Sequence, residues 1–185
     1  YPAWMHGYAA RERPSEGVSE PISLACLAVS NGAETVLLVS CDMIGIHYYV
    51  CDRLYKLLEQ RVGVGEPRVM LCASHTHFAP GLHNMRYTSP RVGIKEPDPR
   101  FAEDFETKLV EAAEESLRNL QEGCLETARL DVPQVVFNRR TVQRDGLVET
   151  NFRYPPNADA YTLSPIDSQL TILRVVNDLG VQAAW

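Results

Sequence analysis

Ile22-Ser23-Leu24-Ala25-Cys26-Leu27-Ala28-Val29-Ser30-Asn31-Gly32-Ala33-Glu34-Thr35-Val36-Leu37-Leu38-Val39-Ser40-Cys41 holds two apolar runs, Ile22 to Ser30 and Thr35 to Cys41, around an Asn-Gly pair. Asn-Gly accepts the positive φ of a tight turn, so two antiparallel strands joined as a hairpin are predicted. Downstream, Ile46, Val50, Leu54, Leu57, Leu58 and Val62 recur at spacings of three and four, one stripe of an amphipathic helix. Gly63 and the Gly65-Glu66-Pro67 turn are placed to end it. Arg68 to Ser74 (RVMLCAS) is a short, nearly continuous apolar run, the pattern of a strand buried on both faces.

A second helix follows, with Asp98 as cap and Pro99 at its first position. Phe101, Phe105, Leu109, Ala112, Ala113, Leu117 and Leu120 form its apolar face, and Gly123 is its predicted stop. Further strands are predicted at 125–131, 134–138, 147–151 and 168–176, with a last one after Asp178-Leu179-Gly180. Alternating strands and helices imply an α/β class, a layered sandwich with a mixed β-sheet flanked by helices. Residues 9–21, with two prolines and a glycine, read as a loop. So do residues 78–99, long enough without structure of their own to suggest a functional role.

At 185 residues the chain is expected to form one domain with a substantial core. A share of 45% hydrophobic and 23% charged residues matches a globular protein. Its net charge of −6, with no Lys/Arg run, argues against nucleic acid or an anionic membrane as partner. The apolar runs are far too short to span a bilayer. No signal peptide is visible, and the start at Tyr1 and the apolar end at Trp185 both read as cut. Cys26, Cys41, Cys51, Cys72 and Cys124 form no CxxC pair. Their odd number within apolar segments implies core-filling free thiols and favours a reducing, cytoplasmic compartment.

Ser74-His75-Thr76-His77 lies just past the RVMLCA run. On an extended backbone, side chains at i and i+2 share a face, so His75 and His77 should present two imidazoles together. They would do so at the carboxyl edge of the sheet, where open α/β folds bind ligands. Neutral imidazole is a good zinc ligand, and a catalytic zinc takes about three protein ligands plus a water whose pKa it lowers to roughly 7. The same pair could simply hydrogen-bond neighbouring backbone, and the pattern leaves both roles open. His83 reads as a solvated loop histidine, and the isolated His6 and His47 as structural or exposed. A metallo-β-lactamase pattern is excluded, because Ala79 and Pro80 stand where its Asp-His would be.

Several segments, in order, resemble the N-terminal domain of the neutral/alkaline ceramidases. Met5-His6-Gly7-Tyr8 with Ala10-Arg11 is similar to the family's opening glycine-tyrosine segment, and Leu37 to Asp42 to its second strand. Ala73-Ser74-His75-Thr76-His77-Phe78-Ala79-Pro80-Gly81 resembles its T-H-T-H-S-G-P-G signature, with Ser for the first Thr and Phe-Ala for Ser-Gly. Val136-Phe137-Asn138-Arg139-Arg140 resembles its V-N-R-S-P element but lacks the Ser-Pro. Ile166-Asp167 through Leu173-Arg174-Val175 is similar to the strand before the second metal histidine.

The resemblance implies that residues 1–185 are the truncated N-terminal portion of a larger catalytic domain. That domain would be a zinc-dependent hydrolase of an amide (N-acyl) bond, acting on a small-molecule or lipid amide such as a sphingolipid. His75 would be a ligand to one Zn2+, with the remaining ligands (a histidine, a glutamate and a tyrosine) expected beyond Trp185. His77 and Arg139 would be catalytic, the guanidinium holding an amide oxygen or its oxyanion. Read without the family, Arg139 would be a surface ion pair. Asp42 would orient an imidazole or cap the following helix. The resemblance favours a secreted or periplasmic location, and leaves oligomeric state open. The chain alone, with one or two ligands, is expected to bind zinc weakly and hydrolyse nothing. The altered residues after His77 and Asn138 suit an alternative, a non-catalytic binding or assembly module.

Overall fold

The computed structural model describes residues 2–8, 10–84, 96–155 and 157–184. The chain divides into two compact units, Tyr1–Gln121 and Glu122–Trp185. Its class is mixed α/β, as the alternation of patterns implied.

In the first unit, β1 (Leu24–Ser30) and β2 (Thr35–Cys41) form the predicted antiparallel hairpin, in register from Leu24 opposite Cys41 to Ser30 opposite Thr35. The connection is the four residues 31–34. Gly32 takes φ 87°, and the Asn31 side-chain oxygen accepts from the Ala33 and Glu34 amides at 3.0 and 2.7 Å. This Asx-type closure holds the turn by local hydrogen bonds.

The chain crosses through α1 (Tyr48–Val62) and returns as β3 (Val69–Ala73), parallel to β2. A parallel return needs such a crossover. Val50, Leu54 and Leu58 are the buried stripe of α1. Gly63, at φ 72°, ends it by donating its amide to the Glu59 carbonyl.

The sheet order β1-β2-β3 makes it mixed and places β2 in the middle, where Leu37 and Val39 are fully buried. Among the described residues β3 pairs only with β2, and Met70 is 58% exposed. The expectation of burial on both faces therefore fails for this strand. An apolar run of five is compatible with an edge as well as a centre, and only the pairing decides.

Helix α2 (Pro99–Arg118) starts as predicted, with Asp98 accepting from the Arg100 amide at 3.0 Å. It stops short of Gly123, because Asn119 closes the last turn on the Glu115 carbonyl, leaving Leu120 exposed. Phe101, Phe105, Leu109 and Ala113 join α1 and the β1-β2 face in one apolar cluster. Each such large side chain, fully buried, stabilises the unit by about 2 kcal/mol.

The second unit begins with β4 (Cys124–Asp131), then β5 (Arg140–Gln143), β6 (Val148–Thr150) and β7 (Tyr161–Leu163). Its last strands, β8 (Gln169–Asn177) and β9 (Gly180–Ala184), complete a sheet of order β4-β8-β9, while β6-β5-β7 is a second small sheet. The strand predicted at 134–138 is absent. Pro133–Val135 is a single 3-10 turn, closed by the Val135 amide on the Val132 carbonyl. Pro133 has no N–H for a ladder, and pairing starts only at Arg140. There Thr141 is fully buried and its hydroxyl accepts from the Asn151 amide group at 2.7 Å.

All five cysteines are free. Cys41 is buried and Cys26, Cys51 and Cys72 are partly so, but Cys124 is exposed on β4, against the core-filling expectation. No helix among the described residues is long and apolar enough to cross a membrane.

Candidate functional site

Just beyond β3, the Ser74 amide donates to the Cys41 carbonyl and the His75 amide to the Met43 carbonyl, both at 3.0 Å. His75 then adopts φ 61°, in the left-handed region, so the extended backbone predicted for His75-Thr76-His77 is not what forms. Left-handed backbone costs a non-glycine residue roughly 1–2 kcal/mol, here offset by the two anchoring hydrogen bonds. The outcome expected of the pair still results by this other route: the two ring centroids are 5.3 Å apart, inclined at 69°.

The His75 ring Nδ1 lies 2.7 Å from the Ile44 carbonyl oxygen. A carbonyl can only accept, so Nδ1 donates to it, and in the neutral ring Nε2 then carries the lone pair. His75 is exposed, and this is the tautomer that a metal-ligating histidine needs.

An N-terminal strap packs on the loop that follows. Met5 bridges to Pro80, and the His6 amide donates to the Ala79 carbonyl at 2.9 Å. Gly7, at φ 119°, lies so close to His77 that a Cβ there would come within 2.6 Å of that side chain. The Tyr8 ring is 4.9 Å from the His77 ring, and Arg11 Nη2 donates to the His77 carbonyl at 2.9 Å.

The other three histidines belong to the same region. The His6 ring covers Gly81 and stands 4.7 Å from His83, which is 5.8 Å from His47. His47, at the start of α1, has the tilted rings of Tyr48 and Tyr49 at 4.5 and 4.4 Å. His83 is half-buried with its Nδ1 enclosed and lacking a partner, so it is not the solvated loop residue expected. Nor is His6 or His47 isolated, since His83, from a distant part of the chain, is a ring neighbour of each.

His6 is 5% exposed, and its pKa is lowered to about 4, first by burial and then by repulsion from His83. Burial and the proximity of His47 lower His83 as well. The folded state therefore keeps His6 neutral where the unfolded chain, titrating near 6.5, takes up a proton. Unfolding binds protons between those values, so the stability is fully present above pH 6.5 and is lost as pH falls toward 4. Urea midpoints should decline from pH 6.5 to 5, and His6→Gln should flatten that decline.

Asp42 has neither of its expected roles. It accepts from the Ser23 amide and hydroxyl at 2.9 and 2.7 Å, and its pKa is lowered chiefly by those bonds, with a further one from Ser74. It ties the start of β1 to the exit of β3, and among the described residues no imidazole is bonded to it. Helix α1 is capped by His47 without a side-chain bond.

Arg139 lies in the second unit, exposed, with its guanidinium 5.5 Å over the Phe152 ring and its carbonyl accepting from the Asn151 amide. Residues 85–95 of the predicted 78–99 loop lie outside the described residues.

Two imidazoles facing one another suit zinc, and His77 Nδ1 is buried without a partner. Among the described residues, however, no three His, Cys, Asp or Glu side chains come together to hold an ion. The fit is partial: a start of a ligand set. The strap residues Gly7, Tyr8 and Arg11 stand out in the sequence only as parts of a motif, with no site role attached to them.

A mixed sheet with a histidine loop beyond its strand ends, laced to an N-terminal strap, defines the class as an α/β fold. That fold is the one seen in ceramidases. Neutral ceramidase from Pseudomonas aeruginosa matches with a TM-score of 0.70 and 20% identity over 98% of this chain and 28% of that one. A ceramidase complexed with C2 matches with a TM-score of 0.69 and 20% identity over 99% of this chain and 28% of that one. The chain thus spans little more than a quarter of the length of the solved structures it matches. No protein-family model and no curated protein matches the sequence.

Proposed function

We propose that this chain supplies the N-terminal portion of a zinc-dependent hydrolase that cleaves the N-acyl amide bond of a lipid or other small-molecule amide, as a ceramidase does. The observation that carries the reading is His75, whose Nδ1 is committed to the Ile44 carbonyl, leaving Nε2 as its free ring nitrogen, with the His77 ring 5.3 Å away. The ceramidase fold across nearly the whole chain supports it.

His75 would hold the metal, with further ligands from a longer protein beyond Trp185. Bound zinc supplies electrophilic activation of the amide carbonyl and of water. His77, half-buried beside it, moves a proton between water and the leaving amine. For Arg139, in the second unit, we propose separately that its exposed guanidinium would hold an amide oxygen as negative charge develops on it. The 185-residue chain on its own would hold zinc weakly and turn over nothing.

The test is to strip the complete protein of metal, restore zinc, and offer ceramide and short N-acyl amides. Equimolar fatty acid and amine, lost on chelation, is the expected result. Substrate that binds but stays intact with every metal tried would overturn the reading in favour of a non-catalytic binding module.

A further inference from the structure

Arg11 is half-buried, yet among the described residues no carboxylate pairs with it. Its Nη2 donates to the His77 carbonyl at 2.9 Å, its Nε is enclosed without a partner, and its guanidinium carbon stands 5.5 and 5.7 Å from the Tyr8 and Phe78 ring centres. Tyr8 in turn contacts the rings of both His77 and Phe78. A guanidinium held by two aromatic faces and one carbonyl, with no counter-ion among the described residues, is an unusual use of a charge, because an isolated cation is costly to enclose.

The carbonyl it selects belongs to the residue whose ring faces His75. Holding that oxygen fixes the peptide plane leaving His77, while Gly7 and Tyr8 limit the ring itself. We propose that Arg11 is a positioning residue: it clamps the His77 backbone so that the imidazole stays aimed at the space in front of His75. Lysine can reproduce this only in part, since it keeps the charge but lacks the planar fork that stacks on rings while donating in a fixed direction.

The proposal rests on the reading of His75 and His77 as the reactive pair, and its experiment separates the two. In the complete, zinc-loaded protein, histidine is labelled with carbon-13 at Cε1, and the His77 signal is assigned by its loss in His77→Gln. Arg11→Ala should shift and broaden that signal and lower kcat by about 10- to 100-fold with KM little changed, the signature of a misplaced reacting group. Arg11→Lys should give an intermediate shift and partial rescue.

A purely structural role would lower the urea midpoint while leaving kcat per folded molecule and the His77 signal as in the wild type, and that result overturns the proposal. If Arg11→Ala does not fold, the lysine variant decides. If the wild type cleaves no N-acyl amide, the hydrolase reading falls, and the His77 signal still decides whether Arg11 sets its position.

Discussion

Replacing His75 with alanine is expected to bring the zinc content of the complete protein to background and to reduce N-acyl hydrolysis by more than the ~10–100-fold typical of losing a residue that only supports a ligand. The argument is one of tautomer and aim. With Nδ1–H given to the Ile44 carbonyl, Nε2 is the remaining donor atom, and the left-handed backbone at position 75 sets the direction in which it leaves the sheet. Alanine removes the ring but also alters the strain of the loop. His75→Asn is the control, because asparagine tolerates left-handed backbone better than most residues. Metal analysis and turnover measured on both variants should show the same loss. Full zinc retained in His75→Asn would place the ligand set elsewhere.

Gly81→Ala should be the most damaging small substitution in the first unit. A Cβ at position 81 would clash with the Cε1, Nδ1 and Nε2 atoms of the His6 ring. That ring is almost fully enclosed, while the backbone of its residue is pinned by the amide bond to Ala79 beside the Met5–Pro80 bridge. With no flexible chain end to swing aside, either the loop or the strap must move. Overpacking of this kind costs about 3 kcal/mol, the upper part of its usual range. Release of the strap would also withdraw Tyr8 and Arg11 from His77. Urea unfolding and the rate of tryptic cleavage at Arg11 are the measurements. Gly17→Ala, where the added carbon meets nothing within 4 Å, should leave both unchanged.

The first unit could be read largely from its residues because its signals are local. The hairpin, the stripe on α1, the Gly63 stop and the Asp98-Pro99 start each depend on neighbours within a few positions. What could not be read there depends on partners far away. The edge position of β3, the 3-10 turn at Pro133–Val135 and the strand at Arg140–Gln143 follow from which segments pair.

The site divides the same way. That His75 and His77 would meet was visible in their spacing, though the route was not, since a positive φ at a histidine is imposed by the anchoring bonds to Cys41 and Met43. The gathering of His6, His47 and His83 joins residues from three separate stretches, each of which reads as unremarkable by itself.

The thiols have a practical consequence. Cys41 donates to the Cys72 carbonyl at 3.3 Å and its pKa is pushed to about 12, first by burial and then by nearby Asp42, while burial is also the leading cause that raises Cys26 and Cys51. Such groups carry almost no reactive thiolate at neutral pH. Cys124, by contrast, lies open on its strand. A maleimide dye would therefore conjugate there in preference to Cys41, giving the second unit a spectroscopic reporter without any engineered attachment point.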